Sequence, residues 1–322
     1  MPPPPHSIAD HLPDAFVDRL EAIVGAQRLP AILSTFGPPA RVGFRFNPLV
    51  APPSESREAL INAGIAFEPV SWYADAATVH ADDRDALLAT LQAESGAVYL
   101  QNLSSMVPPL VLDPRSDERI LDQTAAPGSK TLQLAALMGE LDDDAELVAV
   151  EVVKPRFYKL KANLASGGAP HVRTYLQDGM KVGRYRPEHF DAVLLDAPCS
   201  TEGRFRWDEP GTFAYWSERK VAEMARKQKR LLAAGLDALR PGGVLVYSTC
   251  SFAPEENEAV VAQALADDDR LSLDPITVDV PAFSSALGEW QGQRFEGVAN
   301  ARRIVPDGTF EGFFVARIRK AV

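Results

Sequence analysis

The chain has 322 residues, 46% of them apolar, enough to bury one large domain or a large and a small one. Its formal charge of −11 excludes a protein that binds nucleic acid along its whole surface, because neutralising phosphate takes clustered Lys and Arg. No apolar run approaches a membrane span, Met1-Pro2-Pro3-Pro4-Pro5 lacks the basic and apolar regions of a signal peptide, and five scattered histidines with two cysteines offer no zinc spacing. A cytoplasmic protein with reduced thiols, no metal, no membrane contact and no evident protein partner is therefore expected.

In chain order, the opening prolines predict no regular structure, and Pro13 to Leu29 has helical periodicity; residues 1–40 read as a tail and helix. Residues 41–113 read as a small α+β, RRM-like RNA-binding module. Within it Phe44-Arg45-Phe46-Asn47, Phe67 to Val70 and Ala97 to Leu100 are expected strands, and Ser54 to Ala63 a helix capped by Ser54. A helix from Ser104 closes at Asp113-Pro114.

Residues 114–322 alternate strand and helix. Ile120-Leu121, Leu147 to Val150, Val172 to Tyr175, Ala192 to Leu195 and Val244 to Tyr247 read as strands. Helices are expected at Ser129 to Met138, Lys154 to Ala165, Ser217 to Leu239 and Pro254 to Leu265. This βαβ rhythm predicts a doubly wound, Rossmann-like α/β domain with a mostly parallel seven-stranded sheet, in which Phe313 to Ile318 lies antiparallel beside the fifth strand.

Open sheets of this kind bind ligands beyond the carboxyl ends of their strands. The first strand runs into Thr124-Ala125-Ala126-Pro127-Gly128-Ser129-Lys130 and then a helix, so small residues and free N–H groups await a ligand. Gln123 stands where a phosphate-binding loop needs its first glycine, which disfavours an ATPase. The next strand ends in Glu151, placed to accept from both hydroxyls of a ribose, and Asp178 follows the third. A small-residue loop and two acids on successive strand ends fit an adenosine-containing ligand, with S-adenosylmethionine the leading candidate.

Both cysteines also follow strands, in Asp196-Ala197-Pro198-Cys199-Ser200 and Ser248-Thr249-Cys250-Ser251. Basic residues gather near them, at Arg204 and Arg206 and along Arg219 to Arg230. With Trp207, Arg204 and Arg206 form a candidate track for RNA phosphate and an unpaired base.

Three motifs make the chain recognisable: Asp122-Gln123-Thr124-Ala125-Ala126-Pro127-Gly128-Ser129-Lys130-Thr131, the Cys199 segment with Gly203, and the Cys250 segment followed by Glu255-Glu256-Asn257-Glu258. Through them it closely resembles the RsmB/NSUN family of S-adenosylmethionine-dependent RNA cytosine-5 methyltransferases. The resemblance extends to Phe44-Arg45-Phe46-Asn47-Pro48-Leu49, Gln101-Asn102-Leu103-Ser104-Ser105-Met106 and Gly312-Phe313-Phe314-Val315-Ala316.

The resemblance implies that Cys250 is the nucleophile, that Cys199 assists breakdown of the covalent adduct, and that Lys130 and Asp196 face the base. It implies that Thr124, Ala125, Ala126, Pro127, Gly128, Ser129 and Lys130 enclose the methionine part of the cofactor, with Asp196 bordering it. Glu151 would hold the ribose, Arg156 lie beside the site and Asp178 read the adenine amine. Many relatives carry cysteine where this chain has Thr124. The substrate is expected to be rRNA or tRNA. Two alternatives stay open: a DNA cytosine-5 methyltransferase, in which the cysteine of the Pro-Cys motif attacks, and a non-catalytic RNA-binding ribosome-assembly factor.

Overall fold

The structure is a computed structural model that describes residues 8–322. The proline run and His6 lie outside the described residues.

The first sheet has four strands: β1 (Arg41–Phe46), β2 (Phe67–Pro69), β3 (Ala76–His80) and β4 (Val98–Leu100), in the order β2-β3-β1-β4 and antiparallel throughout. A helix, Pro53–Asn62, joins β1 to β2, and two short helices join β3 to β4. These elements follow one another in the order βαββαβ. Alternation along β1 divides its side chains: Phe44 and Phe46 enter the module's own core with Leu60, Val79 and Leu87, and Arg45 points the other way. Ser54 does not cap the helix. Pro52 holds that position, Pro53 supplies the fixed φ of the first turn, and no side chain caps the end.

The large sheet has nine strands rather than seven. Its parallel body is β5 (Arg119–Asp122), β6 (Glu146–Glu151), β7 (Arg173–Leu176), β8 (Phe190–Asp196) and β9 (Leu239–Thr249), ordered β9-β8-β5-β6-β7. The extra strands are short. After the helix Glu258–Asp267 come β10 (Leu271–Leu273), β11 (Phe283–Ser285), a separate hairpin of β12 (Glu289–Trp290) and β13 (Gln293–Arg294), and β14 (Arg302–Ile304). Segments of two or three residues show no readable alternation. The last strand, β15 (Phe313–Lys320), runs antiparallel to β9, in the expected place.

Period-two alternation sends Ile120, Leu194 and Val246 to one face of this sheet and Leu121, Val193, Leu195, Leu245 and Tyr247 to the other. The second face is covered by the helix Glu218–Ala238, which Ser217 caps by accepting from Lys220 N–H. The expected helix of residues 13–29 is shorter, Asp14–Val24, because Gly25 takes φ +84° and turns the chain into Leu29–Leu33. This segment is packed rather than a free tail. Phe16 and Phe36 contact Phe205 and Phe252, the aromatic residues that follow the two cysteine loops.

Buried polar side chains join the module to the large sheet. Asn47, 1% exposed, donates to Gly96 O and Gly167 O at 3.0 and 2.9 Å. Arg45 donates to Gln101 Oε1 at 2.8 Å and to Ser129 O at 3.3 Å, inside the small-residue loop. Asn47→Ala strips both carbonyls of a buried partner and should lower stability by about 2–4 kcal/mol. A fall in denaturant midpoint measures it, and an unchanged midpoint would show that the seam contributes nothing.

Candidate active site

The parallel order brings the carboxyl ends of β6, β5, β8 and β9 to one rim, where a cavity of 630 Å³ opens. Glu151 and Asp178 line one end of it and Asp196, Cys199 and Cys250 the other. Thr124, Ala126, Pro127, Ser129, Lys130 and Arg156 also border it. Two expected residues do not. Ala125 is 6% exposed and spends its N–H on Val150 O, fastening the loop to β6. Gly128 faces the helix Lys154–Ser166: a Cβ there would lie 2.9 Å from Leu160 Cδ1, and its φ is +108°.

At the acid end, Glu151 Oε1 accepts from Val153 N–H at 2.7 Å, while Arg156 Nη1 lies 3.6 Å from Oε2. Arg156 also donates to Ala126 O at 2.7 Å, so one guanidinium ties the loop to the acid. Asp178 accepts from Met180 N–H at 3.0 Å and, among the described residues, its second oxygen has no hydrogen-bond partner. Val152, Val153, Met180 and Pro198 supply apolar walls that sequence reasoning had not singled out. A buried carboxylate, a second acid and apolar walls fit the ribose and base of an adenosine ligand.

At the thiol end, Cys199 Sγ and Cys250 Sγ are 3.4 Å apart. The Cys199 S–H hydrogen bond holds the Cys250 thiol below the ordinary cysteine range despite burial, and the nearby Arg204 guanidinium adds to the effect. Sharing that proton with Cys250, together with burial, drives Cys199 well above its usual range. The contact and its surroundings thus shift the two thiols in opposite directions, Cys250 down and Cys199 up.

Lys130 Nζ donates to Asp196 Oδ2 and to Ser105 Oγ, both at 2.7 Å, and Ser248 Oγ donates to Asp196 Oδ1 at 2.8 Å. Both Asp196 oxygens thus accept from the protein, which places a lysine-paired carboxylate beside the thiols. Ser105 comes from the helix Leu103–Leu112, ahead of the large sheet, and no spacing rule links it to Lys130. Tyr99 of β4 also reaches the cavity wall.

The expected RNA track is only partly present. Arg204 lines the cavity mouth and pairs with Glu311 at 3.3 Å. Arg206 is held by Asp208 and Glu209 at 2.7 and 3.2 Å. Trp207 is not available to stack on a base: its backbone N–H donates to Phe36 O, its ring stacks on His11, and it packs among the N-terminal helices.

The description "16S rRNA methyltransferase RsmB/F" belongs to the family model that matches residues 109–319, which contain the cavity's loop, acids and thiols. The chain belongs to the RsmB/F family. Its members are S-adenosylmethionine-dependent methyltransferases, and the cavity's acids and apolar walls suit that cofactor. The chain is 37% identical over 315 residues to ribosomal RNA small subunit methyltransferase F of Vibrio parahaemolyticus, covering 96% of this chain and 63% of that protein. It is 36% identical to the protein of the same name from Escherichia coli, covering 96% of this chain and 64% of the other. It thus spans less than two thirds of the length of these curated relatives. A methyltransferase homolog from Pyrococcus horikoshii is similar along its whole length: 33% identity, TM-score 0.83, 98% of this chain and 99% of that one. NSun6 from the same organism, at 20% identity and TM-score 0.82, shares the fold. Among the described residues no group of His, Cys, Asp or Glu is placed to hold a metal ion, and no helix is long and apolar enough to cross a membrane.

Gly203 is where the rim is tightest. Its N–H donates to Cys250 O at 2.9 Å, and a Cβ would sit 2.1 Å from Gly312 O and 3.1 Å from Cys250 O. Gly203→Ala therefore displaces backbone beside Cys250 and should cost about 2–4 kcal/mol. Thermal unfolding checks this. A variant with the parent's melting temperature would mean that the rim yields freely.

Proposed function

We propose that the chain is an RNA cytosine-5 methyltransferase acting on rRNA, with Cys250 as nucleophile and Cys199 as the group that assists release. The observation that carries this reading is the pair of thiols in contact, 3.4 Å apart, at the mouth of a cavity walled by Lys130 and Asp196. Cytosine carbon 5 is a weak nucleophile, and a thiolate adding to carbon 6 converts the ring to an enamine. Cys250 supplies that electron pair. S-adenosylmethionine, when bound, supplies an electrophilic methyl group on a sulfonium sulfur. Once carbon 5 carries the methyl group, a base removes its proton; those electrons restore the 5,6 double bond, and the bond from carbon 6 to Cys250 sulfur breaks. Cys199 stands next to that sulfur, where it can steer the departing thiolate.

Lys130, paired with Asp196, fixes a cation and a carboxylate at the edge where the pyrimidine would lie. In this reading Glu151 holds the ribose and Asp178 the adenine amine. Support for rRNA comes from the family description and the names of the curated relatives. RNA would approach along the seam between the module of residues 41–113 and the catalytic domain of residues 114–322. A second groove there, of 320 Å³, carries Arg41 and Arg204 and meets the cavity at Arg204. An atom inside a stacked helix is out of reach, so the target would be unpaired or flipped.

Cys250→Ala should lose methyl transfer by more than about a thousandfold and form no RNA adduct. Cys199→Ala should methylate, release product poorly and leave an RNA-protein band on denaturing gels. The reverse pattern would move the nucleophile to the Asp196-Ala197-Pro198-Cys199 motif; no transfer by the parent protein to any cytosine-containing RNA would favour a non-catalytic assembly role. Glu151→Ala should weaken S-adenosylmethionine binding by about 1–3 kcal/mol, roughly 5- to 150-fold in calorimetry, because both ribose hydroxyls lose their acceptor. Parental affinity in a folded variant would end the ribose assignment.

A further inference from the structure

Behind the thiols, away from the cavity, lies a buried cluster for which the reaction has no stated use. Glu202 and Glu256 are 2% and 0% exposed, and both reach one hydroxyl, Ser251 Oγ, at 3.1 and 3.0 Å. Ser200 Oγ lies 3.0 Å from the same atom. Ser251 Oγ also accepts from Ala253 N–H at 3.0 Å, so it has one proton to give and one lone pair left to share. One hydroxyl proton cannot serve two carboxylates; for both contacts to be hydrogen bonds, one carboxyl group carries a proton of its own.

The remaining donors decide which one. Glu202 Oε1 accepts from Trp216 Nε1–H at 2.8 Å and Oε2 from Phe252 N–H at 2.9 Å, so both of its oxygens have N–H donors. Glu256 Oε2 accepts from Gln228 at 2.7 Å and from Ser200 N–H at 3.0 Å. Among the described residues, the serine hydroxyl is the one hydrogen-bond partner of its Oε1. The proton belongs on Glu256 Oε1, donated to Ser251, which donates in turn to the Glu202 carboxylate.

We propose that Glu256 is a neutral, proton-donating positioning residue that clamps both cysteine loops in register. One carboxyl group holds the backbone next to Cys199 through Ser200 N–H and the residue next to Cys250 through Ser251 Oγ. Gln228, held by the same carboxyl group, also donates to Pro198 O at 3.0 Å. The clamp would thereby set the short contact between sulfurs on which the low proton affinity of Cys250 depends. Burial first, and the Glu202 charge second, push Glu256 up to about 7, consistent with this placement of the proton. The charged and titratable groups that face the cluster are Glu202 on the turn after Cys199, with Arg19 of the N-terminal helix beside it, and Cys199 and Tyr247 at the sheet edge. Tyr247 Oη donates to Glu256 O, at 2.5 Å.

The proposal concerns the thiols' support and rests on the function proposed above only for its catalytic consequence, so it is tested without RNA. In the full chain, E256A should slow iodoacetamide alkylation of Cys250 at pH 7 about tenfold, the effect of one pKa unit, and E256Q should restore it to within about threefold of the parent. Glutamine keeps one donor for Ser251 and one acceptor for Ser200 N–H and Gln228. Infrared spectra at pH 6 should show a protonated-carboxyl band that E256Q removes and E202Q retains. The linkage sign is also fixed: a carboxyl group that holds its proton more tightly folded than unfolded stabilises below about 4.5 and loses that contribution as pH rises through about 7. From pH 5 to 8 the melting temperature should therefore shift in favour of E256Q over the parent. Equal damage from E256Q and E256A, or a band lost in E202Q instead, would overturn the proposal; absence of methyl transfer by the parent would sink the RNA reading and leave this one standing.

Discussion

Parallel pairing of β8 with β9, in the register that sets Asp196 opposite Ser248, is the constraint on which the site depends. Both strands stop at the same rim, so the loops that follow leave the sheet side by side and carry Cys199 and Cys250 into contact. A slip of one residue would turn one loop toward the opposite face. The pairing of β9 with β15 completes the arrangement, because it carries Gly312 to Gly203 beneath the Cys250 carbonyl.

The polar run Glu255-Glu256-Asn257-Glu258 shows how this register is held. Each residue reaches a different part of the molecule. Glu255 meets Arg19 and Trp290 near the surface. Asn257 pairs with Thr249 Oγ1 and donates to Ser251 O, bracketing Cys250. Glu258, fully buried, takes Arg303 in two hydrogen bonds of 2.7 and 2.6 Å. Replacing such a network with apolar side chains need not lower stability, but removing one partner leaves an uncompensated charge in the interior. Its value here is geometric: it prescribes where the backbone on each side of Cys250 lies.

The N-terminal segments act through the same rim. The face of β1 that an isolated RRM would leave open to bases is turned toward the catalytic domain, with Arg45 on the small-residue loop and Tyr99 on the cavity wall. Phe16 and Phe36 brace the aromatic residues that follow both cysteine loops. Residues 8–113 therefore help to build the site; motifs mark the segments of Arg45 and Ser105, but their partners there were not legible because these contacts span large separations in the chain.

Local pattern was enough to read the βαβ order, the carboxyl-edge placement of Glu151, Asp178, Asp196 and the two cysteines, and the antiparallel place of β15. Strand alternation and strand–loop–helix junctions are properties of consecutive residues, so they survive without coordinates. Short strands such as β10, β11 and β14 carry too few residues to show a period, and Trp207 looked like a stacking platform because composition does not reveal what covers a ring. The partnership of Lys130 with Ser105, the contact of the two thiols and the convergence of Glu202 and Glu256 on Ser251 belong to the tertiary structure alone. Each depends on distances of about 3 Å between groups far apart in sequence and on the loss of water around them, and electrostatic energies follow those two quantities rather than residue order.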